Sequence, residues 1–406
     1  MRGFSPAREA GLRRLEEFLP HAGRDYAERR NHVPGTVSAL SPYVRHRLLT
    51  EEEIARAVLQ RHSFEAAEKF LQEVCWRTYW KGWLEMRPEI WPNYLRDLQT
   101  LGKEWKVDSE SGKRLQAAEQ GETGLECMDA WVQELTETGY LHNHVRMWFA
   151  SIWIHTLRLP WQLGADFFLR HLLDGDPASN TLSWRWVCGL QTPGKVYLAS
   201  AENIERFTEG RHAPYGLLAT EPPPIPTDHP IPKPRPLSPG ETHRPGGKTL
   251  LLLTEEDLSP EGWGLPSEDV EGVILIESAC SVSDGTKPVS DLVKTFRSQA
   301  LKSTRERMEA AGFPSVGLVS GTGEELKKRL RELPLPRHGG QGTITMMRPP
   351  VWATRSFVDQ IVTGMKEEGI AVRSLRRQWD ETLWPHATHG FFRFKEQIPS
   401  VLSRLA

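Results

Sequence analysis

The sequence predicts an α plus α/β protein: an all-helical domain over residues 1–213, a proline-rich linker over 214–246 and a Rossmann-like parallel-sheet domain over 247–406. Three observations carry this. Apolar residues recur at helical spacing through the first half. Eleven prolines then fall in residues 214–245, including Pro222-Pro223-Pro224 and the alternating run Pro230 to Pro236, which suits a semi-rigid extended segment. Beyond it, short β-rich runs alternate with helical stretches, the pattern of parallel strands joined by crossovers.

Composition narrows the class. The chain has 406 residues, 38% apolar and 26% charged, enough for two soluble domains. Formal net charge is -2, and residues 1–212 carry 27 Lys+Arg against 29 Asp+Glu, so no general polyanion-binding surface is indicated. Cys75, Cys127, Cys188 and Cys280 are scattered without a Cys-x-x-Cys pair, which argues against zinc or iron–sulfur sites and fits a reducing cytoplasm. Neither an amino-terminal signal nor an apolar run of membrane-spanning length is visible. Tryptophan is the outlier, with eleven of fifteen in residues 1–212.

In chain order, residues 6–30 read as a surface helix, ended by Val33-Pro-Gly-Thr-Val-Ser-Ala-Leu-Ser-Pro-Tyr43. The small hydroxyl residues there serve either as ordinary N-caps or as an anion-holding turn. Ser63 to Pro88 is helical, with Glu73, Trp76, Arg77, Trp80 and Trp83 on one face. That face is either a packed amphipathic stripe or a pocket wall. Residues 90–122 read as irregular, with Trp105 isolated among charges. Met128 to Thr138 and Tyr140 to Leu157 follow as helices joined at Gly139, a C-terminal stop. Arg146, just before an apolar helix, requires a carboxylate partner, and Asp174 or Asp176 is the candidate. His142 and His144 lack the further ligands a metal site needs. Asp174-Gly-Asp-Pro177 reads as a turn, with Asn180, Trp184 and Trp186 close behind it.

The second half predicts strands at Lys248 to Thr254, Val270 to Ser278, Ser315 to Ser320, Gly342 to Met347 and Ile370 to Leu375. Helices are expected near 289–312, 323–333 and 353–368. Ser320-Gly-Thr-Gly323 is either a phosphate-binding turn or only a turn.

Together these residues resemble the helical flavin-binding domain of the DNA photolyase/cryptochrome family. The likeness rests on Leu40-Ser-Pro-Tyr-Val, Glu73-x-x-Trp-Arg77, Thr123-Gly with Met128-Asp129, and Gly139-x-x-His-Asn-x-x-Arg-Met147. It continues through Trp161 with Phe167-Phe168, the Asp174-to-Trp186 run and Tyr197, all in the family's order. The resemblance implies a U-folded FAD in a helical bundle, with Ser38, Leu40 and Ser41 at the pyrophosphate. Arg77, Arg146, Asp174 and Asp176 would meet the isoalloxazine, ribitol or adenine, and Asn180 the flavin N5.

It also implies a lesion pocket of Glu73, Trp76, Asn143, Met147 and Trp186, and an electron-hopping chain of Trp184, Trp161 and Trp105. Asn143 favours cyclobutane pyrimidine dimers, since relatives acting on the (6-4) photoproduct carry a second His there. Val37, Ala39 and His144 depart from the family's Thr, Arg and Arg. Leu250-Leu-Leu-Leu-Thr-Glu-Glu-Asp-Leu258 resembles a degraded opening strand of the family's N-terminal antenna domain, and Gly390-Phe-Phe-Arg-Phe394 its closing segment. The expectation is therefore an antenna-like domain permuted to the C-terminus, with any antenna chromophore unidentified.

The expected function is blue-light repair of pyrimidine dimers by a cytoplasmic monomer, with single-stranded DNA a candidate preferred partner. The alternative is a cryptochrome-like photoreceptor without repair. A flavin-free scaffold conflicts with the retention of Arg146, Asp174, Asp176 and Asn180.

Overall fold

The computed structural model describes all residues except 1–2, 107, 193, 226–228, 243–246, 279–286, 314, 322–327, 329–331, 333–336, 339–340, 368 and 406. The first half is helical: α1 (Arg8–Phe18), α2 (Arg24–Arg29), α3 (Ser41–Arg45), α4 (Glu51–Leu59) and the long α5 (Phe64–Glu85) come first. Helices α6 (Ile90–Glu104), α7 (Glu110–Gln120), α8 (Glu126–Thr138), α9 (Asn143–Ser151), α10 (Trp161–His171), α11 (Pro177–Val187) and α12 (Ala201–Phe207) follow. Local chemistry sets their starts. Thr50 and Glu53 form a reciprocal capping box on α4, and Ser63 accepts the Ala66 N–H at the head of α5.

Gly139 ends α8 in the left-handed region, φ 66°, where a Cβ would also come within 2.6 Å of Leu173. The Leu173 N–H donates to the Gly139 carbonyl at 2.9 Å. The end of α8 is thereby tied to the loop carrying Asp174.

Three sequence expectations are corrected. Residues 6–30 are not one surface helix: Pro20 and Gly23 break the run, and Leu15, Phe18 and Leu19 face the core. Residues 90–122 are not irregular, because Ile90, Trp91, Tyr94 and Leu98 give α6 a buried face and Ser109 caps α7. The second helix of the 140–157 pair begins only at Asn143, capped by His142, and ends in a π-helical turn, Ile152–Thr156.

The second half contains β1 (Thr249–Thr254), β2 (Val270–Ser278), α13 (Asp291–Ala310), β3 (Ser315–Gly321), β4 (Arg337–His338), β5 (Gln341–Met347), α14 (Ala353–Glu367) and β6 (Ala371–Leu375). Strands β3, β2, β1, β5 and β6 lie side by side in parallel, with Leu251 paired to Val273 on one side and Thr345 on the other. This matches the predicted parallel sheet, and the unforeseen β4 adds a short antiparallel hairpin to β5. Every residue of β1 is buried, as a central strand covered on both faces requires. The expected helix at 323–333 and the Ser320–Gly323 turn fall on segments that lie mostly outside the described residues.

After β6 the chain returns to the helical half. Helices α15 (Gln378–Leu383), α16 (Phe391–Lys395) and α17 (Ile398–Leu402) pack on α5. The Trp379 indole N–H donates to Thr78 at 2.8 Å, and the Tyr79 hydroxyl to the His389 carbonyl at 2.8 Å. A Cβ on Gly82 would meet Trp384 at 2.9 Å, so glycine permits this approach. The described part of the proline-rich segment has a turn at 215–217 and is then held to the helical half: Arg235 N–H donates to the Met86 carbonyl at 2.8 Å, and Arg87 to that of Pro232 at 3.1 Å.

Candidate functional site

The loop between α10 and α11 turns two carboxylates inward beneath α5 and α9. Asp176 caps α11 through the Ser179 N–H at 2.8 Å, and Pro177 supplies the preset φ of the first helical position. Asp174 and Asp176 are 4% and 1% exposed, so each needs cationic partners. Arg146 on α9 donates to the Leu141 carbonyl at 2.9 Å and to Asp174 at 2.9 Å, one of the two carboxylates that its position in the sequence pointed to. Arg77 and Lys81, one turn apart on α5, stand 3.4 and 3.6 Å from Asp176.

Burial pushes both carboxyls up, but the cations outweigh it and hold Asp174 and Asp176 below the usual carboxylate range. Burial draws Lys81 down, against the pull of Asp176. Lys81 and Arg45, which donates Nε to the Gly175 carbonyl at 2.9 Å, were not singled out from the sequence. Lys81 had a signal there, since Glu73, Arg77 and Lys81 recur every four residues on α5.

Arg77 Nη1, Asp174 Oδ1, Asp176 Oδ2, Ser179 Oγ and Thr181 Oγ1 are buried yet have no protein hydrogen-bond partner. Such orphans cost about 1–3 kcal/mol each unless something else satisfies them. Arg77 and Asp176 bring a donor and an acceptor together here, which fits a ligand with hydroxyl, imide and ring-nitrogen edges such as FAD. Asn180 sits one turn beyond Asp176; its amide nitrogen donates to the Ala165 carbonyl at 2.8 Å, leaving its oxygen as the group it can offer a ligand. Ser38 and Ser41 flank Ala39, whose φ of 48° turns the chain sharply into α3, and Leu40 is buried.

Glu73 is ion-paired to Arg30, which stands at the end of α2. Burial lifts the Glu73 carboxyl above its ordinary range despite that guanidinium. Trp76 is half-buried and stacks on Phe391 of α16, centroids 3.6 Å apart at 10°. Trp186 stacks instead on Tyr197 at 5.6 Å. Asn143 is exposed at the first turn of α9, and Met147 is half-buried one turn along. His144 packs on Trp148 at 4.2 Å and bonds to the Asn31 carbonyl at 2.9 Å, joining α9 to the loop after α2.

Trp184 is 2% exposed and has Phe149, Trp153 and Phe168 as ring neighbours. Trp161 stacks on Tyr94 at 5.7 Å, and half-buried Trp105 ends α6. Trp153, 6.2 Å from Trp184, is an aromatic neighbour that motif spacing did not single out. A Cβ on Gly164 would fall 2.4 Å from the Trp184 ring, so glycine lets α10 close on that indole. Among the described residues no His, Cys, Asp and Glu group could hold a metal ion, and no helix is long and apolar enough to cross a membrane.

Residues 70–209 match the family model described as the FAD binding domain of DNA photolyase. The chain is 33% identical over 218 residues to the deoxyribodipyrimidine photo-lyase of Thermus thermophilus, covering 52% of this chain and 49% of that protein. It is 30% identical over 186 residues to that of Streptomyces griseus, covering 45% and 39%. The chain thus spans less than half the length of these curated relatives. Among solved structures, a bacterial class III photolyase from Agrobacterium tumefaciens aligns at 26% identity and a TM-score of 0.39, covering 50% of this chain and 42% of that one. A Synechocystis cryptochrome aligns at 24% and 0.42, covering 50% and 43%. Within the helical half, residues 70–209 are thus similar to an FAD-binding domain of the photolyase type, and a parallel-sheet domain follows.

Proposed function

We propose that the chain is a flavin-dependent, blue-light-driven enzyme that splits cyclobutane pyrimidine dimers in DNA. The observation that carries this reading is the pair of buried carboxylates, Asp174 and Asp176, with their cations and unpartnered polar atoms, beneath the same helix that bears Glu73 and Trp76. Reduced FAD held there would supply an electron to the dimer on excitation and take it back once the two cyclobutane bonds have broken, so that no net oxidation or reduction results. The chain's own residues do the rest. Asp174, Asp176, Arg77 and Arg146 hold the ring and its substituents, Ser38, Leu40 and Ser41 meet the pyrophosphate, and Asn180 presents its oxygen to the N5 edge.

Glu73, whose carboxyl burial pushes up against the pull of the Arg30 guanidinium, hydrogen-bonds to the polar edge of the lesion and stabilises charge arriving there. Trp76, Met147, Asn143 and Trp186 receive a lesion flipped from its stack, for which flat apolar walls with few polar groups are suited. Trp184, Trp161 and Trp105 form the route by which the flavin is photoreduced. The parallel sheet is the antenna-type domain in permuted order, and its β3-β2-β1-β5-β6 arrangement supports that assignment. The expected partner is dimer-containing DNA, met by a cytoplasmic monomer.

A second reading, a cryptochrome-like photoreceptor without repair, is favoured by one contact. Phe391 already occupies one face of Trp76. Irradiating reduced holoprotein with a thymine-dimer oligonucleotide separates the two: restored thymines establish repair, and their absence with flavin bound favours the photoreceptor.

A further inference from the structure

The loop that carries Asp174 and Asp176 is held from behind by the sheet domain. Arg45, 2% exposed at the end of α3, spends Nε on the Gly175 carbonyl between the two acids. Its Nη1 and Nη2 donate to the two oxygens of Glu256 at 2.7 and 3.0 Å. Glu256 lies just after β1 and is 4% exposed. It also accepts the Trp352 indole N–H at 2.8 Å and the Thr354 hydroxyl at 3.0 Å. The Trp352 ring lies 5.6 Å from the Arg45 guanidinium and 5.9 Å from the Lys81 ammonium, so one indole backs both cations near Asp176.

Charge decides what this arrangement does. A buried guanidinium seeks a carboxylate with two-point geometry. Arg45 lies in the attractive field of both Glu256 and Asp176. With Glu256 in place, the fork is filled and Asp176 Oδ2 faces only Arg77 and Lys81, at 3.4 and 3.6 Å, with no hydrogen bond to the protein. Without that carboxylate, Asp176 is the competing acceptor, and its capture by Arg45 would remove a group the ligand needs and pull on Gly175.

We propose that Glu256 is a positioning residue of the flavin site, acting through Arg45 to hold the Asp174–Asp176 loop and to keep Arg45 from turning to Asp176. The site is then assembled from both domains. This rests on the flavin-binding reading above.

The test is FAD titration of the flavin-stripped full chain, with the melting temperature of the stripped and loaded forms measured in parallel. Glu256→Gln should weaken FAD at least about tenfold, the scale of a lost charge-assisted hydrogen bond. Asp257→Asn is the control. It breaks ion pairs with Arg377 and Arg47 in the same interface without touching Arg45. It should lower the melting temperature yet keep FAD affinity within about threefold.

Arg45→Gln combined with Glu256→Gln should bind FAD no more weakly than Arg45→Gln alone, because Glu256 acts only through Arg45. If Glu256→Gln does not fold, Trp352→Phe removes a single donor to Glu256 and should weaken FAD about threefold. Affinity unchanged in Glu256→Gln, or lowered equally by Asp257→Asn, overturns the role of Glu256. An unmodified chain that takes up no FAD overturns the functional reading itself.

Discussion

The helical and sheet halves both bury charge, but they use it differently. In the helical half, Asp174, Asp176 and Arg77 turn inward and keep polar atoms unpartnered around one loop. In the sheet, the interior is aliphatic, with Leu250, Leu252, Ile274, Ile276 and Ile344 packed together, and Thr249 and Thr345 satisfy one another at 3.0 Å. Its buried acids Glu255, Glu256 and Asp257 follow the end of β1, where Glu256 and Asp257 reach Arg45 and Arg47 of the other half. The contrast is sharpest between Glu256, whose two oxygens are both filled, and Asp174, whose Oδ1 has no hydrogen-bond partner; the joint also holds orphaned atoms, at Arg47 Nε, Glu255 Oε2 and Asp380 Oδ1. On this reading chemistry belongs to the helical half, and the sheet braces it.

The sharpest way to break that contrast is Asp174→Ala. It strands Arg146 in a buried pocket and should weaken FAD by about a hundredfold or more, the scale of removing one member of a buried pair. Absorbance of the purified protein at the flavin band reads this directly, and a fully yellow variant contradicts the assignment. Ile274→Ala probes the other half. Ile274 is fully buried, so a loss of about 2–5 kcal/mol in unfolding free energy is expected, with flavin absorbance unchanged at 25 °C. Flavin loss at full stability would reverse the division of labour.

Glu73→Ala separates binding from reaction. Repair yield per photon should fall about tenfold to a hundredfold while flavin remains bound. The smallest effect is acid sensitivity of the helical half. Burial first, then neighbouring cations, pushes His142 and His171 down to about 4. Unfolded histidine titrates near 6.5, so between that value and about 4 the unfolded chain binds protons that the folded chain refuses. Stability should thus be full above the upper value and fall as pH drops, by about 1–2 kcal/mol per histidine at pH 5. Melting at pH 7.5 and 5, with His171→Gln as comparison, checks the sign; greater stability at pH 5 refutes it.

Much of this was legible in the sequence for physical reasons. A carboxylate partner for Arg146, Asp174 or Asp176, followed from the cost of an unpaired arginine before an apolar helix, and the fold selects Asp174. The parallel strands followed from apolar runs bounded by helical periods, and β1 is buried throughout. What was not legible depended on distant contacts. Phe391 lies 315 residues after Trp76, and no local pattern brings their rings face to face. Arg45 looked like the end of a short helix until Glu256 and the Gly175 carbonyl gave it partners. Residues 90–122 looked irregular because Trp105, Lys103 and Glu104 obscured the buried stripe of α6.

The central claim is that light absorbed at the helical site ends in repaired DNA. Reduced holoprotein should be mixed with a thymine-dimer oligonucleotide, single-stranded and in duplex, and restored thymines measured with and without blue light. The account predicts restoration under light alone, with at least one of the two DNA forms. No restoration in either form, by protein with its flavin bound and reduced, would contradict it.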